Sequence, residues 1–444
     1  MTAAATTRSP AAHPDAVHPP ASGGMFRSLK TRNYRLYASG QLVSLTGTWM
    51  QRVAQDWLVL ELTNSGTALG IVTALQFGPS LLLGLWGGML ADRYDKRKLL
   101  LATQSALAVV ALLLGVLVIS GVVQYWQVLA LAGALGVIAS IDTPVRQSFV
   151  VEMVGKDDLA NAVAINATIF NAGRVLGPAI AGVMIAGLGT GLVFLVNAAS
   201  SVGVLGALGM MRTAELSPSP PLERARGQLR EGLQYVRGRA DLMLTMILVF
   251  VVGTFGLNFQ LTTALLAKQV FHRTASGYGL LSTALALGAC LGAVLATRRV
   301  QRPTQLFLIG TALLFAVLEI TVGLMPTFVS TALLLLPIGL VMLTFTTAAN
   351  ASVQLGVDPT MRGRVMALYL MCFMGGTPVG APIIGWVAGA FGPRWGLLGG
   401  GLICLVSALV ISAFIARRRG LTPADLGDRV VTAAHLREHL TVHP

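Results

Sequence analysis

Apolar residues come in long runs along most of the chain, separated by short polar breaks. The runs fall at 34–62, 67–91, 99–121, 124–145, 159–187, 190–211, 242–268, 275–297, 304–325, 327–349, 362–390 and 394–416. Roughly 20 apolar residues cross a hydrocarbon core about 30 Å thick. Runs of that length must be helical in lipid, because a lone strand leaves its backbone groups unpaired. The pattern therefore predicts an all-α integral membrane protein with about twelve transmembrane helices.

The polar breaks give the topology. The sharpest is the island Gly88-Met89-Leu90-Ala91-Asp92-Arg93-Tyr94-Asp95-Lys96-Arg97-Lys98, a tight turn with four cations between the second and third runs. Other cations gather at 27–35, 224–239, 298–302, Arg362, Arg364 and 417–419. The alternate breaks near 63–66, 121–124, 187–191 and 324–328 carry none, and only Lys268, Arg273 and Arg394 fall on that side. Short cationic loops stay in the cytoplasm, so both termini are expected there. The stretch 212–241, with Pro218, Pro220, Pro221 and several arginines, reads as a central cytoplasmic loop between six-helix halves at 34–211 and 242–416. Residues 1–33 read as a disordered tail whose first 25 residues lack the features of a signal peptide. Residues 417–444 read as a second cytoplasmic tail, basic and then mildly amphipathic.

Composition agrees and narrows the function classes. Apolar residues make up 54% of the chain and charged residues 11%, against about 25% charged in an ordinary soluble domain. The net charge of +14 does not point to nucleic acid, because the cations sit at the breaks and form no basic and aromatic stripe. They fit topology and anionic lipid headgroups instead. Cys290, Cys372 and Cys404 lie in apolar runs without a CxxC pair and read as packing residues. No His pair has metal spacing, Gly155-Lys156 lacks the rest of a phosphate loop, and Gly187-Leu188-Gly189-Thr190-Gly191 joins two runs. Neither an enzyme nor a cofactor or metal is expected.

The halves repeat each other. A shift of about 203 positions places Gly173, Gly177, Gly182 and Gly189 on Gly376, Gly380, Gly385 and Gly392. A near-parallel shift places Ala91-Asp92-Arg93 on Ala296-Thr297-Arg298.

The island spacing Gly-x-Leu-Ala-Asp-Arg-x-x-x-Arg-Lys resembles the loop signature of the major facilitator superfamily, between its second and third helices. Four further patches narrow the match: Gly47-Thr48-Trp49-Met50-Gln51, Asp142-x-Pro144-x-Arg146-Gln147, Asp157-Asp158-Leu159-x-Asn161-Ala162 and Arg174-Val175-Leu176-Gly177-Pro178. Over roughly 26–416 the chain looks like the branch containing the enterobactin exporter and related bacterial multidrug efflux proteins. The resemblance implies two parallel six-helix halves, each of inverted three-helix repeats, in the bacterial cytoplasmic membrane.

It also implies a conformational gate. In it Asp92 faces the start of the eleventh helix near Arg362 to Arg364, Gly88 belongs to the same gate, and Arg93 and Arg97 reach Asp142. A carboxylate at a helix N-terminus gains about 0.3–2 kcal/mol, and a contact made only when the cytoplasmic side is shut biases the outward-facing state. The alternative is a topology anchor and nothing more. Asp95 stands where the family usually has a second glycine. On the fifth helix, Gly173-x-x-x-Gly177-Pro178-x-x-Ala181-Gly182 resembles the antiporter motif of drug and metabolite exporters. The same ladder on the eleventh favours close packing over a substrate role.

Three charged side chains within the runs are candidates for substrate or proton coupling. Arg174 lies about fourteen residues into the fifth run, and its repeat counterpart is Thr377. A cation at that depth faces a cavity or a partner, so it binds an anionic group, counters a carboxylate, or forms a fixed helix–helix salt bridge. Arg52 and Asp56 stand four apart on the first run and pair on one face; Asp56 either carries a proton or is self-neutralised at the outer mouth. Glu319 is expected at an interface near the outer end. Gln41, Gln76, Asn166, Asn171, Asn258, Gln260 and Asn350 are spread through the runs, lining a cavity or bridging helices.

The functional expectation is a proton-coupled exporter of small amphipathic compounds (drugs, siderophores or secondary metabolites), monomeric and working by alternating access. Alternatives are an uncoupled facilitator or importer, and a membrane sensor or lipid-handling protein on the same fold.

Overall fold

The computed structural model describes residue 24 and residues 26–155, 157–217, 228–297 and 302–418. Most of the two expected tails, the prolines of the central stretch and Arg298 of the second repeat lie outside these residues. The helices are α1 Arg32–Thr63, α2 Gly66–Arg93, α3 Lys96–Ile119, α4 Tyr125–Val154, α5 Leu159–Leu188 and α6 Thr190–Gly209. There follow α7 Gln228–Gly238, α8 Ala240–Val251, α9 Phe259–Leu265, α10 Ala275–Thr297, α11 Gln305–Leu324, α12 Phe328–Gly356, α13 Arg362–Phe391 and α14 Pro393–Arg418.

Among the described residues, 11 helical segments are long and apolar enough to cross a membrane, with Ala240–Val270 as one of them. The helix that falls short is α1, which carries Gln41, Gln51, Arg52, Gln55 and Asp56. It tolerates them because it lies inside the bundle against α5 and α6, and Gln41, Gln51, Gln55 and Asp56 are buried.

Turn chemistry sets the helix ends. Ser65 caps α2 by accepting from the Ala68 amide at 3.3 Å. Asn64, at φ 48°, makes the left-handed residue between α1 and α2. Asp95 caps α3 by accepting from the Lys98 amide at 3.0 Å. The departure from the expected glycine is thus a helix cap, worth about 1 kcal/mol. Gly189 and Gly392, partners in the sequence repeat, end α5 and α13 at φ 79° and 102°, a region costly for residues with a Cβ.

Three features differ from the sequence expectation. The fourth and tenth runs extend past their expected ends: α4 continues through Pro144 to Val154, and α12 to Gly356. The stretch 212–241 is not all loop, since α7 lies against α13. The seventh run is a broken helix: α8 and α9 are joined by a widened π-turn at Val252–Gly256, and a second at Leu266–Val270 ends the segment. Such turns insert a residue into the helical ladder and are frequent at functional sites.

Helices α1 to α6 pack on one another, as do α8 to α14, and two seams join the groups: α2 against α13, and α5 against α10. The glycine ladders build these seams. A Cβ on Gly177 would run into Trp49 of α1, and one on Gly182 would lie 3.1 Å from Gly279 of α10. In the second group, a Cβ on Gly380 would strike the Thr254 carbonyl at the π-turn, and one on Gly385 the Gly66 carbonyl of α2. In both ladders the earlier glycine admits the first helix of its own group and the later one a helix of the other group.

Candidate functional site

The end of the bundle opposite the island is closed by contacts between the two groups. Tyr278 Oη on α10 donates to Asp56 Oδ2 on α1 at 2.7 Å. The Tyr278 ring stacks on Trp57, centroids 6.4 Å apart and 18° from parallel. Lys268 donates to the Leu60 carbonyl and lies 5.8 Å from the Trp57 ring centroid. Gln269 Nε2 donates to the Asn64 carbonyl at 2.9 Å. Asp56 is 4% exposed and Tyr278 0%. Asp56 is therefore part of a latch between the groups.

Beneath the latch lies a cavity of ≈ 160 Å³. Trp49 and Val53 of α1 and Arg174 and Pro178 of α5 form one wall; the other includes Phe259, Gln260 and Thr263 of α9 and Ser282, Leu285 and Ala286 of α10. Arg174 is the charged residue of this lining. The Arg52 guanidinium lies over the Trp49 ring at 4.7 Å and near Phe77 at 5.4 Å. Arg52 and Asp56 share a helix face, yet Asp56 takes its hydrogen bond from Tyr278, and no ion pair joins the two.

Two of the gate candidates, Arg97 and Asp142, take other partners than the resemblance implies. Arg97 caps the end of α6, donating to the Leu208 carbonyl at 2.6 Å and the Gly209 carbonyl at 3.0 Å. Asp142 is 2% exposed and is held by Arg146 at 3.1 Å, Thr103 at 2.8 Å and Gln104 at 2.8 Å. Those donors fill its oxygens, so neither Arg97 nor the exposed Arg93 pairs with it in this conformation. Asp92 and Gly88 lie half-buried in the last turns of α2. Arg364, at the start of α13, pairs with Glu231 of α7 at 2.9 Å.

Gly173 and Gly177 serve the α1–α5 contact, and Pro178 packs at the seam, where a Cβ on Gly279 would meet its carbonyl at 2.5 Å. Glu319 is not at an interface with lipid headgroups or water. It is 1% exposed, turned toward the gap left by Gly400 of α14, and its Oε2 has no hydrogen-bond partner among the described residues.

Sequence reasoning missed Tyr278, Lys268 as a latch donor, Glu231 and the Asn197–Gln51 contact between α6 and α1. A tyrosine among the small and apolar residues of the eighth run was the one visible signal for Tyr278; nothing in the sequence pairs it with Asp56.

Comparison with known proteins fixes the family. Residues 24–433 match the family described as transmembrane secretion effector. The chain is 27% identical over 401 residues to the staphyloferrin A transporter of Staphylococcus aureus, covering 86% of this chain and 96% of that one. It is 25% identical over 409 residues to the enterobactin exporter EntS of Shigella flexneri, covering 88% and 95%. Among solved structures, a bacterial homologue of the human lysosomal transporter Spinster, inward-facing and occupied, superposes with a TM-score of 0.68. It has 16% identity and covers 87% of this chain and 97% of that one. Cavity, latch and two helix groups joined at two seams thus belong to a multi-pass transporter, not an enzyme: the chain is a member of the transmembrane secretion effector family of the major facilitator superfamily.

Proposed function

We propose that this protein is a proton-coupled exporter of small amphipathic compounds in the bacterial cytoplasmic membrane, working by alternating access. In this reading α1 is the twelfth span, the two helix groups are the six-helix halves, and the island end and both termini face the cytoplasm, as the distribution of cations requires. The observation that carries the proposal is the Asp56–Tyr278 hydrogen bond, a titratable group spanning the two halves directly above a cavity. A ligand or proton shifts an equilibrium only through different affinities for its two states. A carboxyl that is buried while the outer end is shut and hydrated when it opens meets that requirement.

At the cytoplasmic end, Asp92 is the gate residue and the start of α13 its target. In the conformation described, Arg364, at that helix start, is held by Glu231. An exporter name among the relatives supports the direction of transport, and siderophore names there support the size and polarity of the cargo.

The test is uptake into inverted membrane vesicles of a panel of drugs and siderophores, with and without an imposed pH gradient. Gradient-driven accumulation that Asp56→Asn abolishes, while downhill exchange persists, supports the proposal. Accumulation independent of the gradient makes the protein a facilitator.

A further inference from the structure

The interior of the first half carries more cationic than anionic side chains, and the imbalance borders the cavity. Its charged groups are Arg52, Asp56, Asp142, Arg146 and Arg174, with Lys96 and Glu152 paired at 2.6 Å toward the island end. Asp142 and Arg146 neutralise each other at 3.1 Å. Asp56 is committed to Tyr278. Arg52 and Arg174 remain, and among the described residues neither forms a salt bridge. Arg174 makes no hydrogen bond there, and Arg52 packs on the faces of Trp49 and Phe77, with Asp56 one helical turn on as its main counter-charge. The C-terminal half supplies no acidic residue to the cavity: its lining is Leu257, Phe259, Gln260, Thr263, Ser282, Leu285, Ala286 and Met342.

The close approach of α1 and α5 brings these cations together. Gly173 and Gly177 bring α5 against Trp49, so Arg174 emerges beside the ring that Arg52 covers. Keeping two guanidinium groups without a salt bridge inside membrane spans is costly, and guanidinium forks match carboxylate and phosphate geometry. Trp49 and Phe259 add aromatic surface on opposite walls.

We infer that Arg52 and Arg174 form the anion-binding subsite of the transport cavity, so that the cargo is an amphipathic anion whose carboxylate or similar group lies between them while its apolar body packs on Trp49 and Phe259. This inference rests on the transporter reading and adds the charge of the cargo. Arg174, inside the lining, makes the direct contact; Arg52 is held in place by its two rings.

The experiment compares two probes that differ only in charge, 2-naphthoate and its neutral isostere 2-naphthamide. Equilibrium binding is measured to the purified full-length protein in zwitterionic lipid nanodiscs. The wild type is expected to favour naphthoate by tenfold or more. Arg174→Gln and Arg52→Gln should each remove most of that preference yet keep naphthamide binding, which reports an intact cavity; Arg174→Lys should retain part of it. Equal affinity for both probes, no binding of either, or an unchanged preference in the Arg52→Gln/Arg174→Gln double variant overturns the inference. Adding phosphatidylglycerol distinguishes the source of the anion. Competition with naphthoate assigns the subsite to a lipid headgroup, absence of competition to a soluble solute, and both uphold an anion site. Gradient-driven export of a neutral or cationic drug without naphthoate preference sinks the anion subsite and leaves the exporter standing.

Discussion

Asp56 shows how tertiary surroundings override a local spacing. Four residues after Arg52 it has the spacing of a helix-face ion pair, yet its hydrogen bond comes from Tyr278 in the other half. A neutral side chain is buried at less cost than an ionised one, so Asp56→Asn is expected to favour the state with the outer end shut. Cysteine labelling from outside at position 53 should then fall. Tyr278→Phe removes the donor, a bond worth about 1.5–3 kcal/mol when the acceptor is charged, and labelling should rise several-fold. A rise in Asp56→Asn together with no change in Tyr278→Phe contradicts the latch. Arg174 stood out because its repeat partner is Thr377, so the architecture does not ask for a charge there, and the structure places it in the cavity lining. Tyr278 did not, since a tyrosine in an apolar helix has no spacing that identifies its partner.

Among the elements, α5 and α13 carry the clearest message. Their glycines repeat at one spacing, and the structure uses both sets alike, against the first helix of the same half and then across the seam. Gly177→Leu and Gly380→Leu are therefore expected to do comparable damage, because forcing a side chain into a packed contact costs typically 1–3 kcal/mol. Thermal unfolding of both variants in the same lipid checks this. A tolerant Gly380 beside an intolerant Gly177 instead favours the antiporter-specific reading of α5. Run lengths made most of the helices legible, whereas the break between α8 and α9 was hidden. A π-turn needs no proline or polar residue, and Val252–Gly256 looks like any apolar stretch. The amphipathic α7 was hidden for the opposite reason: its charges resemble a solvated loop, and only its contact with α13 gives it a place.

At the scale of the whole molecule, the proposed cycle needs two gates that alternate. The outer one is built in the conformation described; the cytoplasmic one is the proposed contact of Asp92 with the start of α13. Asp92→Asn is expected to leave folding and insertion intact and to raise labelling from the cytoplasm at cavity positions, since a charge–dipole contact of about 0.3–2 kcal/mol shifts a balanced equilibrium up to about thirtyfold. The Arg364–Glu231 pair is partly exposed and should contribute under about 1 kcal/mol. Glu231→Gln is therefore expected to change the melting temperature little. The island sequence marks one end of the bundle but not its geometry, because a loop motif gives residue types while Arg97 and Asp142 each find nearer partners.

Alternating access requires the outer end to open in every cycle, and that is tested most directly by preventing it. Asn64 and Gln269 touch across the halves at 2.9 Å. In a background with Cys290, Cys372 and Cys404 replaced by serine, cysteines at 64 and 269 are joined with a short, cleavable thiol cross-linker. Transport into inverted vesicles should stop on cross-linking, remain stopped under a pH gradient, and return when the linker is cut. Transport that continues with the two halves joined at this point contradicts the proposed cycle.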